Sequence, residues 1–108
     1  MKTLLLVLLI SAAVTSQAST RQEFKDRDAT DLYKSALRVA RDHYELKSAS
    51  DAGMVVTFHR GPAGFHGELD CSVSVDKSSV DAKCSGGVGR KKTEEEVLRY
   101  IEQDSRKP

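Results

Sequence analysis

Cys71 and Cys84 are the only two cysteines of the chain and stand 13 residues apart. Thiols so placed can form a disulfide, a redox pair or part of a metal site, but a tetrahedral zinc site built on cysteines needs further ligands at fixed spacing, and no second pair exists. His59 and His66 with Glu68 or Asp70 are the right residue types for zinc. They flank a Gly/Pro turn without a metal-site spacing, and we read them as surface residues. The run Gly86-Gly87-Val88-Gly89-Arg90-Lys91-Lys92-Thr93 has the composition of a phosphate loop. The glycine that such a loop needs directly before its lysine is replaced by Lys91, and the third glycine of the dinucleotide fingerprint is missing. This run reads as a strand-to-helix link whose Arg90, Lys91 and Lys92, with His66, are candidate contacts for an anion or nucleic acid. No nucleophile elbow, zinc-protease helix or spaced acid pair occurs. No catalytic residue, metal or cofactor is therefore assigned.

The chemistry of the cysteines depends on compartment. Met1-Lys2-Thr3 is followed by an apolar run from Leu4 to Ile10 and then by Ser16-Gln17-Ala18. A positive start, a short apolar core and a small-x-small end make a secretory signal, predicting cleavage after Ala18 and a secreted or periplasmic protein. The run falls short of the roughly 20 apolar residues of a membrane span, and no second such segment follows, so no membrane anchor is expected after cleavage. In an oxidising compartment the two cysteines are expected to pair.

Residues 19–108 carry 16 Lys+Arg and 16 Asp+Glu, so this part is formally neutral. Bulk attraction to nucleic acid is not expected from such a balance. The length suits one small domain and excludes a large barrel or doubly wound fold.

The spacing of Tyr33, Ala36, Leu37, Ala40 and Tyr44 predicts an amphipathic helix to about Leu46, started by Thr30 or Asp28. The polar residues 19–29 before it read as a flexible N-terminal arm, and 48–53 as a loop. Met54 to Arg60 predicts a strand with Met54, Val56 and Phe58 on one side. Glu68 to Val75 alternates Leu69, Cys71, Val73 and Val75 with polar residues, a half-buried strand. A turn at 76–79 leads to a third strand ending near Ser85. Thr93-Glu94-Glu95-Glu96 predicts a capping box starting a helix with Val97, Leu98 and Ile101 buried. Residues 105–108 are expected to fray.

A symmetric turn at 76–79 sets Val75 opposite Val80, Val73 opposite Ala82 and Cys71 opposite Cys84. Directly opposed residues lie about 4.5–5.5 Å apart at Cα, within the range of about 4.4–6.8 Å that a disulfide accepts. The same logic for the preceding hairpin requires that Phe58 not face Asp70. The expected fold is α+β in the order α-β-β-β-α, a three-stranded antiparallel meander with two helices on one face, over residues 30–104.

That order, with Gly61-Pro62 after the first strand and Lys91-Lys92 behind a Gly-rich turn, resembles the double-stranded RNA-binding domain. In that family a Gly-Pro-x-His loop enters the minor groove and a Lys-rich helix start grips phosphates. The resemblance implies RNA contacts from Arg90, Lys91, Lys92 and His66. Gly64 stands at the loop histidine, two before His66, and Glu95 at the third lysine. Glu94 to Glu96 would offset the three cations, so duplex RNA is expected to bind no tighter than about 10⁻⁴ M. The leading expectation is a non-enzymatic binding domain for an extracytoplasmic protein or ligand. A polyanion-binding module and a small enzyme or inhibitor are the alternatives.

Overall fold

The computed structural model describes residues 19–61 and 68–106. Residues 1–18, with the expected signal segment and cleavage point, residues 62–67, with His66, and residues 107–108 lie outside the described residues. The elements are β1 (Thr20–Glu23), α1 (Ala29–His43), β2 (Glu45–Ser50), β3 (Val55–Arg60), β4 (Leu69–Asp76), β5 (Ser79–Gly86) and α2 (Arg90–Ser105). The class is α+β, but the expected three-stranded meander is the centre of a five-stranded antiparallel sheet ordered β1-β5-β4-β3-β2.

The two added strands are the edges. Residues 19–29, expected as a flexible arm, supply β1, which pairs Thr20 with Ala82 and Glu23 with Ser79. The segment then buries Phe24, whose N–H donates to Ser78 O at 2.7 Å. The first helix ends at His43 rather than Leu46, because Tyr44 is already extended (φ −139°). Residues 45–50 form β2, which bulges at Lys47. Both edges are polar on nearly every residue. They are held by backbone ladder bonds, so they carry no alternating pattern.

The central register is the expected one: Val75 faces Val80, Val73 faces Ala82 and Cys71 faces Cys84. In the neighbouring pair Phe58 faces Cys71 and His59 faces Asp70. Lys77 takes φ +59° in the two-residue turn between Asp76 and Ser79, a left-handed position typical of tight hairpins. Cys71 and Cys84 are joined in a disulfide with Cα atoms 4.0 Å apart. Its loop of about 14 residues corresponds to roughly 3 kcal/mol by loop-closure entropy. The Cys84 N–H points away from Cys71, toward α2. The cysteines are therefore a non-hydrogen-bonded pair, and Phe58 with Cys71 and Arg60 with Leu69 are hydrogen-bonded pairs.

Both helices cover one face. Val56, Phe58, Leu69, Val73, Val80 and Ala82 of the sheet join Leu32, Tyr33 and Val39 of α1 and Val97, Leu98 and Ile101 of α2 in one core. Helix α1 lies on β2–β4 and α2 on β5 and β1, with the helices in mutual contact. Arg38 clamps them from outside, its Nε and Nη2 donating to Asp104 at 3.0 and 2.7 Å. The opposite face presents Thr57, Ser72, Ser74, Asp81 and Lys83.

Candidate anion-binding groove

The segment after β5 must leave the sheet and enter a helix within a few residues. Gly86 (φ +118°) makes the turn beside the chain at Glu68, where a Cβ would come within 3.0 Å of the Glu68 carbonyl oxygen. The Gly87 N–H donates to that same carbonyl at 3.1 Å. Gly89 (φ +83°) is the N-cap and brings no side chain to the helix end. The first intrahelical bond runs from the Thr93 N–H to Gly89 O, 3.0 Å. The N–H groups of Arg90, Lys91 and Lys92 therefore precede the helical ladder and point out of its positive end. All three residues are exposed. They form one wall of a groove of about 490 Å³, which Ser19 and Thr20 of the β1 edge close on the other side.

The expected capping box at Thr93 does not form. The helix begins three residues earlier, at Arg90, and this turns Thr93 and Glu94 into the interior, 2% and 4% exposed. Glu94 Oε2 accepts the Cys84 N–H at 2.8 Å and Oε1 accepts the Thr20 hydroxyl at 2.7 Å. Cys84 lies two residues beyond Ala82, which is paired with Thr20 at the described end of β1. The carboxylate serves its N–H as acceptor there, a charge-assisted bond in a covered site.

The expected neutralisation of the three cations changes accordingly. Glu94 is turned to the groove floor and holds two donors. Glu96 accepts the Tyr44 hydroxyl at 2.7 Å on the side of α1. Burial and then this bond push the Tyr44 hydroxyl far above its ordinary value, so it stays a donor. Tyr44 also stacks on Phe58 at 4.6 Å. Glu95 is the exposed acid beside the cations, 4.0 Å from Lys91, a helical pair of small energy, while Glu94 lines the same groove beneath them. Val88, 65% exposed, stands at the mouth of the groove.

The other candidate residues separate. His59 lies between two carboxylates, Nδ1 at 2.9 Å from Asp70 and Nε2 at 3.0 Å from Glu68. Carboxylates on opposite ring nitrogens do not converge on a common point, and among the described residues no group of three His, Cys, Asp or Glu is placed to hold a metal ion. Hydrogen bonding to Asp70 raises the His59 pKa, helped by the charges of Glu68, Asp70 and Glu45 and opposed by desolvation. His43 stacks flat on Tyr100 at 3.8 Å between the helices. Tyr33 donates to Asp51 at 2.7 Å, and burial followed by this bond raises its pKa.

Sequence reading singled out Arg90, Lys91 and Lys92 but missed Ser19, Thr20 and Glu94, which belong to the same groove. Thr20 and Glu94 are 74 residues apart, and local pattern carries no signal at that range. Among the described residues no helix is long and apolar enough to cross a membrane. Compared with known proteins, the chain matches no family model and no curated sequence.

Proposed function

We propose that the protein is a non-catalytic binding domain, secreted or periplasmic, that seats an acidic segment of a partner protein against the start of α2. One observation carries this: three exposed cations and an uncapped helix N-terminus open into the same groove. Oriented N–H groups, helix dipole and side-chain charge then all favour a carboxylate at one place. The Cys71–Cys84 disulfide supports the compartment.

An acidic peptide fits better than a nucleic acid duplex. The three cations lie on a single helical turn, about 5.4 Å of rise. A duplex-binding domain must reach phosphates over about 16 base pairs. The strongly bonded acids, Glu94 and Glu96, serve the fold, which leaves the three cations, with Glu95 alone among these acids, presented outward.

The test is fluorescence anisotropy of the oxidised mature protein with a labelled deca-glutamate peptide, a deca-lysine peptide and an RNA duplex of about 20 base pairs. Deca-glutamate should bind, and added salt should weaken it. Lys91→Glu with Lys92→Glu should weaken it by at least about tenfold, since like charges brought together at an interface cost several kcal/mol. Equal binding of both peptides, or full affinity in the double variant, overturns the proposal. Sub-micromolar binding of the duplex that falls in Lys91→Ala with Lys92→Ala replaces it with the polyanion reading implied by the RNA-binding-domain resemblance.

A further inference from the structure

We propose that His59, held in its doubly protonated form between Glu68 and Asp70, is a proton-dependent staple that closes the open end of the β3–β4 pair. A neutral imidazole has one N–H and one lone pair, so it can satisfy one carboxylate and must turn its lone pair toward the other. At His59 both nitrogens meet carboxylate oxygens at about hydrogen-bond distance, 2.9 and 3.0 Å. Both contacts together require the imidazolium.

The surroundings are acidic on each strand that faces it. Glu45 of β2 stands directly opposite His59 in the ladder. Asp70 of β4 stands opposite on the other side, with Glu68 just before that strand. Ser85 of β5, paired with Asp70, adds no charge. Lys47 and Lys83 line the same depression of the outer sheet face as Asp70. Arg60, the next residue, projects from the opposite side of β3. The helices pack on that opposite face and bring no charge to His59. Removing the proton thus leaves Glu45, Glu68 and Asp70 around an uncharged ring whose side chain is only 16% exposed.

The direction of the effect follows from linkage. The folded pKa of His59 lies above its ordinary value of about 6.5. The contribution of the staple is complete below that ordinary value and is lost as pH rises through the folded one. The backbone bonds it protects are those of the adjacent Arg60–Leu69 pair. A mildly acidic compartment would keep this end of the sheet closed, and alkalinity would loosen it while the disulfide holds the centre.

The experiment is an NMR titration of the oxidised protein, following the His59 ring and the exchange protection of the Arg60 and Leu69 amides relative to Val73. His59 should titrate above about 6.5, and the relative protection should fall measurably as pH rises across that titration, the direction linkage gives for a raised pKa. His59→Gln should abolish the pH dependence. Should that variant fail to fold, Asp70→Asn supplies the same test, because it should bring the His59 titration back toward its ordinary value and flatten the protection curve. A His59 titrating at or below about 6.5, or protection that ignores pH in the unaltered protein, overturns the proposal. A dependence that persists in His59→Gln also overturns it.

Discussion

The two helices begin in opposite ways. Helix α1 is closed by its own sequence: the Asp28 carboxylate accepts the Asp31 N–H at 2.9 Å, and Asp31 adds a negative charge to the positive first turn. Helix α2 begins at a glycine without a side-chain cap, and its first three residues are Arg, Lys and Lys. Cations at a helix N-terminus oppose its dipole, each by about 0.3–1 kcal/mol. A helix needed only for its buried Val97, Leu98 and Ile101 would be better served by the arrangement at α1. The penalty at α2 is offset from below, where Glu94, just past the first turn, ties the helix to β5 and β1. The contrast separates an end that satisfies itself from one anchored by tertiary bonds and left open outward.

Removing the anchor should have the largest effect. Glu94→Ala leaves the Cys84 N–H and the Thr20 hydroxyl without their acceptor, and the loss of two charge-assisted bonds should cost about 2–3 kcal/mol. Urea unfolding of the oxidised protein measures it, and Glu94→Gln, which keeps an acceptor oxygen, should lose less. Equal stability of Glu94→Ala and the unaltered protein would remove the tertiary half of the contrast. At the other helix, Asp28→Ala should cost about 1 kcal/mol, the usual value of an N-cap, with deca-glutamate affinity unchanged. The smallest effect has the opposite sign. Lys91→Glu with Lys92→Glu should stabilise the fold by about 0.5 kcal/mol in all, because relief of the helix dipole is partly offset by the like-charge pair formed with Glu95, while weakening peptide binding. A double variant that loses stability as well as binding would show that the cations serve the helix rather than a partner.

The central hairpin was legible because the strands β4 and β5 alternate apolar and polar residues, and only one register matches Val73 with Ala82 and cysteine with cysteine. The same alternation kept Phe58 from facing Asp70 but left Leu69 and Cys71 both open as its partner, and the structure pairs it with Cys71. Strands β1 and β2 escaped because an edge strand need not bury a side chain at every second position. Thr20 to Glu23 and Glu45 to Ser50 read as polar linkers, and the helix pattern ran on through Tyr44 because that ring belongs to the core from an extended residue. The cationic triplet was visible in the charge pattern. Its electrostatic setting was not, since the adjacent Glu94, Glu95 and Glu96 look alike in sequence. They go to the groove floor, the solvent beside Lys91, and Tyr44. The capping-box pattern at Thr93 was misleading for the same reason: the helix starts earlier, where Gly89 supplies a left-handed residue and no polar cap.

The pairing of β1 with β5 has a consequence in time. Thr20 meets Ala82 across most of the chain, whereas β4 and β5 are joined by a two-residue turn. Contacts so distant in sequence carry the greatest chain-closure cost and form slowly, while a tight hairpin needs little search. A chain emerging from its N-terminus presents β1 first and the strand that receives it nearly last. Until β5 arrives, β1 has no ladder partner and Phe24 no completed core. The groove between β1 and α2 thus rests on contacts that span 62 residues or more, Thr20 with Ala82 and Thr20 with Glu94.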